Sequence, residues 1–178
     1  MFITFLKSEG YNEQFIENAG LAFKAENKPL VDRFRNRVIF PIQNLSGKTI
    51  AFGARILSEE KNQPKYINSP ETSLYIKSNT LYGLYQSKNS IRKMDNCYLV
   101  EGYTDVISMH KANVKNVVAS SGTSLTEGQI RLIKRFTNNI VILYDGDAAG
   151  INASFRGIDL VLKEGLSEKV EFSIHDYR

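Results

Sequence analysis

The chain has 178 residues, 42% hydrophobic and 24% charged, with 23 Lys/Arg against 19 Asp/Glu, two histidines and one cysteine. That length suits one large domain or two small ones, in a composition ordinary for a soluble globular protein. No apolar run reaches transmembrane length and MFITFLKSEGY lacks the features of a secretory signal, while the lone cysteine excludes an internal disulfide and two histidines argue against a Cys/His zinc site; a reducing cytoplasm is the expected setting.

In chain order, YNEQFIENA predicts a short helix. RVIFPIQ and KTIAFGARI predict two strands joined by NLSG as a hairpin. The polar stretch EEKNQPKYINSPET leads into an irregular segment rich in Tyr, Asn and Lys. Residues 1–92 are therefore expected to form an α+β subdomain, with the boundary near residues 88–95. Beyond it the pattern becomes regular. CYLV is a strand, YTDVISMHKAN a helix and NVVA a second strand. Thr126 and Gln129 form a capping box that opens a helix through about Phe136. NIVILY is a third strand, NASFRGIDLVLK a helix and KVEFSI a fourth strand. This βαβαβαβ alternation predicts an α/β fold over residues 93–178, a parallel sheet flanked by helices. Its strands are apolar throughout, as burial on both faces requires.

Charge is divided unevenly. Residues 1–90 hold 12 Lys/Arg against 8 Asp/Glu, and residues 91–178 hold 11 against 11. The basic excess of the first half suits an anionic polymer as partner.

The neutral half carries its acids in particular places. The first strand ends in Glu101-Gly102, with Asp105 one helical turn later, and the third ends in Asp145-Gly146-Asp147. In parallel α/β sheets the carboxyl ends of the strands open onto the ligand crevice. Asp145 and Asp147, in extended chain, face the same side. Two such charges about 4 Å apart repel by roughly 1 kcal/mol in water and about 4 kcal/mol at a half-buried surface. A hard cation held by carboxylate oxygens relieves that repulsion, and Mg²⁺ is the natural candidate. The SSGTS turn, Ser120–Ser124, leaves the second strand at the same edge and offers hydroxyls and amides to a phosphate. Asp147 alone reads equally well as a helix cap, and Asp-Gly as a turn. Two acid motifs at equivalent strand ends favour a metal, and Glu101 weighs most because glutamate is a poor cap and turn residue. Asp105 is either an outer ligand or a first-turn acid favoured by the helix dipole.

Other signals are weaker. Gly47-Lys48-Thr49 resembles the end of a phosphate-binding loop, but Ile42 stands where a glycine belongs and a strand follows instead of a helix. Asn44-Leu45-Ser46 matches a glycosylation acceptor, without meaning in the cytoplasm. His110 and His175 have no partners at ligand spacing. Arg33, Arg35 and Arg37 alternate into the strand VIFPI, so an extended chain would line them along one face to meet successive phosphates. PKYINSPE puts Lys65, Tyr66 and Asn68 on a proline-bounded loop, followed by Lys77, a combination suited to stacking and phosphate contact.

DRFRNRVIFPI, PKYINSPET, LYGLY, VEGYTDV, ASSGTSLT and YDGDAAG, in that order, resemble the catalytic core of the bacterial replicative primases. The resemblance runs over about residues 4 to 172. It implies a Toprim domain in the second half, preceded by a basic subdomain that tracks template and holds nucleotides. Glu101, Asp145 and Asp147 match the family's catalytic, metal-binding acids, with Asp105 a nearby acid. Arg33, Arg35, Lys65, Asn68 and Lys77 match its template and nucleotide surface. The implied activity is DNA-directed RNA synthesis, using Mg²⁺ or Mn²⁺, a single-stranded DNA template and ribonucleoside triphosphates to extend a nascent RNA primer. The family's zinc module and the module that contacts the replicative helicase have no counterpart here. Its further acidic pair beyond the fourth strand is represented by Asp176 alone. A fragment is therefore expected, Toprim truncated at its end, without zinc and without membrane contact. Two other readings remain: another Toprim protein, a topoisomerase or nuclease, of which a topoisomerase would need a nucleophilic Tyr on a separate DNA-gripping domain, and a non-catalytic DNA-binding module of the recombination-mediator type, which would need neither PKYINSPET nor the basic first half.

Overall fold

The computed structural model describes residues 2–57, 63–122, 124–145, 148–166 and 170–172. Asp147, His175 and Asp176 lie outside the described residues. Two compact units are present, Met1–Ile42 with Thr49–Ile76, and Gln43–Lys48 with Lys77–Arg178.

The first unit begins with helix α1 (Phe2–Ser8) and helix α2 (Glu13–Asn18). Asn12 caps α2, its side-chain oxygen accepting from the Phe15 amide at 2.8 Å, which satisfies one of the free donors of a helix start. Strands β1 (Ala22–Phe23) and β2 (Val31–Asp32) form a small antiparallel pair. Strands β3 (Arg37–Gln43), β4 (Thr49–Ile56) and β5 (Tyr66–Asn68) form a second sheet in that order, with β5 antiparallel to β4. The expected hairpin is thus β3 and β4, and its turn is held by Asn44, whose side-chain oxygen accepts from the amides of Ser46 and Lys48 at 3.0 Å each.

That hairpin's tip belongs to the second unit. Gly47 sits at φ +84° against the Tyr85 ring, and an added Cβ would lie 2.6 Å from that ring. Lys88 reaches the same tip, donating to the Leu45 carbonyl at 2.8 Å.

Within the second unit a single 3-10 turn (Lys77–Asn79) leads to helix α3 (Leu84–Met94). Residues 77–92, grouped with the first subdomain from sequence, pack here instead. Ser87 is fully buried and donates to the Val117 carbonyl at 2.7 Å, while Tyr82 pairs with Ala119 as a lone antiparallel bridge. Strand β6 (Cys97–Val100), helix α4 (Tyr103–Lys111), strand β7 (Val117–Ala119), helix α5 (Glu127–Lys134), strand β8 (Ile140–Ile142), helix α6 (Ala148–Lys163) and strand β9 (Val170–Phe172) complete the chain's described part. The sheet order is β7-β6-β8-β9, parallel throughout. Successive strand residues feed opposite faces: Leu99, Val118, Ile140 and Ile142 join one apolar cluster, and Val100, Val117 and Ala119 another. The apolar strands therefore carry a core on each side, as a doubly covered parallel sheet demands. No described helix is long and apolar enough to cross a membrane.

The predicted capping box at α5 is present. Thr126 Oγ1 accepts from the Gln129 amide and Gln129 Oε1 from the Thr126 amide, each at 3.2 Å. Gln129 is also fully buried, and its Nε2 donates to the carbonyls of Lys77 and Thr80. Gln129→Ala would take one donor from each carbonyl and undo the capping box, leaving the Lys77 carbonyl its bond from the Thr80 amide. A loss of about 2–3 kcal/mol in unfolding free energy is expected from denaturant titration.

His110 lies against Ser87, with Nε2 3.2 Å from its hydroxyl. Burial, helped by the Lys115 charge, holds its pKa below the usual imidazole range. The unfolded chain then binds the proton more tightly than the folded one, so this contribution is complete above the ordinary imidazole pKa and is lost as pH falls through the lowered folded value. Denaturant midpoints taken from about pH 7.5 down to about pH 5 are expected to fall more steeply for the native chain than for His110→Gln.

Candidate active site

Three strand ends meet at the carboxyl edge of the parallel sheet. Because β6 lies between β7 and β8, Glu101 at its tip stands between the turn after β7 and the segment after β8. It is tied to both sides. The Glu101 carbonyl accepts from the Ser121 amide at 3.0 Å, and its Oε1 accepts from the Asp145 amide at 3.2 Å. Ser121 and Gly122 adopt φ +57° and +85° in succession, turning the chain sharply away from the strand.

Asp105 sits in the first turn of α4, where its Oδ2 accepts from the Gly102 amide at 2.9 Å. Its carboxyl still reaches solvent, yet desolvation raises its pKa. The Gly102 hydrogen bond opposes that rise, and the negative charge of Asp145 adds to it. The Asp145 charge thus acts on Asp105 at this edge. Tyr144, one residue before Asp145, is buried, and that burial raises its phenol to about 12; a hydrogen bond with Ser120 opposes the rise and the Glu101 charge adds to it.

This arrangement brings together Glu101, Asp105 and Asp145, three of the acids singled out from sequence. Among the described residues no three His, Cys, Asp or Glu side chains come close enough to share a metal ion. The carboxylates nonetheless suit a divalent cation in chemistry, being oxygen donors whose mutual field opposes ionisation of one of them.

The basic residues are differently placed. Arg33 to Asn36 form a turn between β2 and β3, with Asn36 in the left-handed region at φ +54°. The three arginines therefore do not line one extended face. Arg33 is half-buried with its guanidinium 5.6 Å from the centre of the Phe23 ring. Arg35 is exposed and borders an apolar pocket of about 280 Å³ between Phe34, Phe52 and Ile39. Arg37 points elsewhere: it donates to the Pro64 carbonyl at 2.8 Å and to Gln63 Oε1 at 3.2 Å, pinning the loop that leads into β5. Lys65 is exposed on that loop, and Asn68 is half-buried on β5 opposite Gly53. Lys77, half-buried, opens the 3-10 turn of the second unit.

Two residues at the acidic edge escaped the sequence reading. Tyr144 looked like the last apolar residue of a strand. Gly150 lies so close to the Asp145 carbonyl that an added Cβ would collide with it; the small residues after Asp147 were the available signal.

A parallel sheet presenting carboxylates from adjacent strand ends, preceded in the chain by a basic α+β unit, defines a Toprim-type nucleic-acid-enzyme core. Residues 1–88 match the sequence family "DNA primase catalytic core, N-terminal domain", and residues 98–177 match the "Toprim-like" family. The DNA primase of Clostridium acetobutylicum is 47% identical over 169 residues, covering 94% of this chain and 28% of that protein. A DNA primase domain from Pseudomonas aeruginosa superposes with a TM-score of 0.86 at 39% identity, over 96% of this chain and 54% of that one. A DnaG primase catalytic domain bound to ssDNA gives 0.85 at 37% identity, over 97% and 54%. The chain belongs to the DNA primase family, within its catalytic core. It spans about a quarter of the length of its curated relatives, 28% of the clostridial protein.

Proposed function

We propose that these residues carry out template-directed RNA primer synthesis on single-stranded DNA. The observation that carries this reading is the junction of Glu101 with Asp145 at adjacent ends of a parallel sheet; the other unit of the chain carries exposed Arg35 and Lys65. In this reading Glu101, Asp145 and Asp147 hold Mg²⁺ or Mn²⁺, with Asp105 as a nearby acid. A bound divalent ion would supply charge neutralisation for the triphosphate and for developing charge on the oxygens. The protein's part is positioning: the acids fix where the triphosphate sits. The primer 3′-hydroxyl then attacks the α-phosphate and pyrophosphate leaves. A likeness to a primase domain bound to ssDNA supports the choice of template. Replacing the matching region of the clostridial primase with these residues, and supplying single-stranded template, ribonucleotides and Mg²⁺ or Mn²⁺, should yield short RNA. Absence of RNA from a folded, DNA-binding chimera would overturn the reading.

The basic unit has its own expected result. We assign Arg33, Arg35, Lys65 and Asn68 of this unit, and separately Lys77 of the second unit, to template and nucleotide binding, with Arg35 and Lys65 the most open to a phosphate. Arg35→Ala and Lys65→Ala should each weaken single-stranded DNA binding without base preference. Each should also flatten the salt dependence, log K against log salt, by about 0.7. Arg37→Ala should act through the loop it holds, slackening Lys65 without itself removing a phosphate contact. An unchanged salt slope for Arg35→Ala would make that side chain plain surface charge.

A further inference from the structure

The geometry points to Tyr144 and Ser120 as a clamp across the end of β6 that positions Glu101 against Asp145; they are positioning residues for the acidic site, and the inference rests on the proposed function only in what the site does. Three observations meet. Ser120 follows β7 and Tyr144 follows β8, the two strands flanking β6, so a hydrogen bond between them spans the strand that ends in Glu101. Both side chains are about nine-tenths buried, at 8% exposure each, and they are hydrogen-bonded to each other. Their neighbours in sequence make the two backbone ties to Glu101, Ser121 through its amide at 3.0 Å and Asp145 through its amide at 3.2 Å. A hydrogen bond between two side chains this buried ties together the chains that flank β6. Glu101 is confined between those chains.

A phenylalanine at 144 would pack as well as tyrosine but could not bond across the strand. A ring kept only to fill the core would be indifferent to that change. The same bond is broken from the other side by Ser120→Ala, and Ser120→Thr keeps the hydroxyl.

The test reads the clamp without requiring catalysis. Hydrogen exchange of the Asp145 amide reports directly on its bond to Glu101, and calorimetric Mn²⁺ binding reports on the carboxylates. In Tyr144→Phe and in Ser120→Ala, Asp145 exchange is expected to quicken about five- to tenfold, as loss of one hydrogen bond gives. Mn²⁺ binding should weaken by a similar factor while melting cooperativity is kept. The double variant should lose no more than either single one, and Ser120→Thr should restore protection. Wild-type protection of the Asp145 amide in Tyr144→Phe, or additive losses in the double variant, would overturn the clamp. Quickened exchange in a protein that binds no Mn²⁺ even as wild type would sustain the clamp and count against the metal-dependent reading alone.

Discussion

On the proposed function, Asp145→Asn in the clostridial chimera is expected to reduce primer synthesis at least about a hundredfold, the scale on which disturbing even the supports of a metal ligand acts, while the protein remains folded. The separation follows from where the residue's groups lie. Its backbone amide makes the bond to Glu101 Oε1, and asparagine keeps that amide. Its side chain is exposed, so little packing is lost. What disappears is one negative charge beside Asp105, whose pKa that charge helps to raise. Relief of such repulsion stabilises by about 1 kcal/mol or less at a solvent-facing site. The denaturant midpoint should therefore hold or rise slightly, Mn²⁺ affinity should fall, and RNA yield should collapse. Activity within a factor of two of the native level would take Asp145 out of the metal site. A parallel fall in midpoint and activity would make it a structural residue.

How much of this was legible beforehand differs between the halves. The βαβ alternation could be read because β6, β7 and β8 are apolar on both faces, and Leu99 and Val100 feed separate clusters. Helix α3 could not, because its inward positions include Ser87, a polar residue that is fully buried and bonded to the Val117 carbonyl. The arginine row failed for a local reason: Asn36 takes a left-handed conformation and bends the chain where alternation assumed extension. Strand-end logic found Glu101 and Asp145, since any parallel α/β sheet sends its strand ends to one edge. It could not find Tyr144 with Ser120. That pairing depends on β6 lying between β7 and β8, and strand order is decided by packing of the helices rather than by any one segment. The division into units escaped for the same reason. Gly47 and Tyr85 are far apart in sequence, and only their close packing assigns the hairpin tip to the second unit.

Gly150→Ala is expected to damage both stability and activity, whereas Gly157→Ala, on the same helix, should do neither. At Gly150 the obstacle is backbone. An added Cβ would run into the Asp145 carbonyl oxygen, with the Asp145 carbonyl carbon at 3.0 Å and its nitrogen at 3.2 Å. Main chain cannot rotate aside as a side chain does, so either α6 or the strand end must move. Overpacking of this kind costs about 1–3 kcal/mol, more than the roughly 1 kcal/mol that alanine gains over glycine inside a helix. Movement of the strand end would carry the Asp145 amide away from Glu101. A displacement of about 1 Å at a reacting site costs on the order of a hundredfold in rate. At Gly157 the nearest atom is Ile142 Cδ1 at 3.1 Å, the far end of a flexible side chain, which can shift by the few tenths of an ångström required. There the helix-propensity gain should offset the crowding, leaving the midpoint within about 0.5 kcal/mol of native. Denaturant titration of both variants, with Asp145 amide exchange measured alongside, separates the cases. A Gly150→Ala protein as stable as Gly157→Ala, with its Asp145 amide still protected, would mean that α6 does not press on the acidic edge.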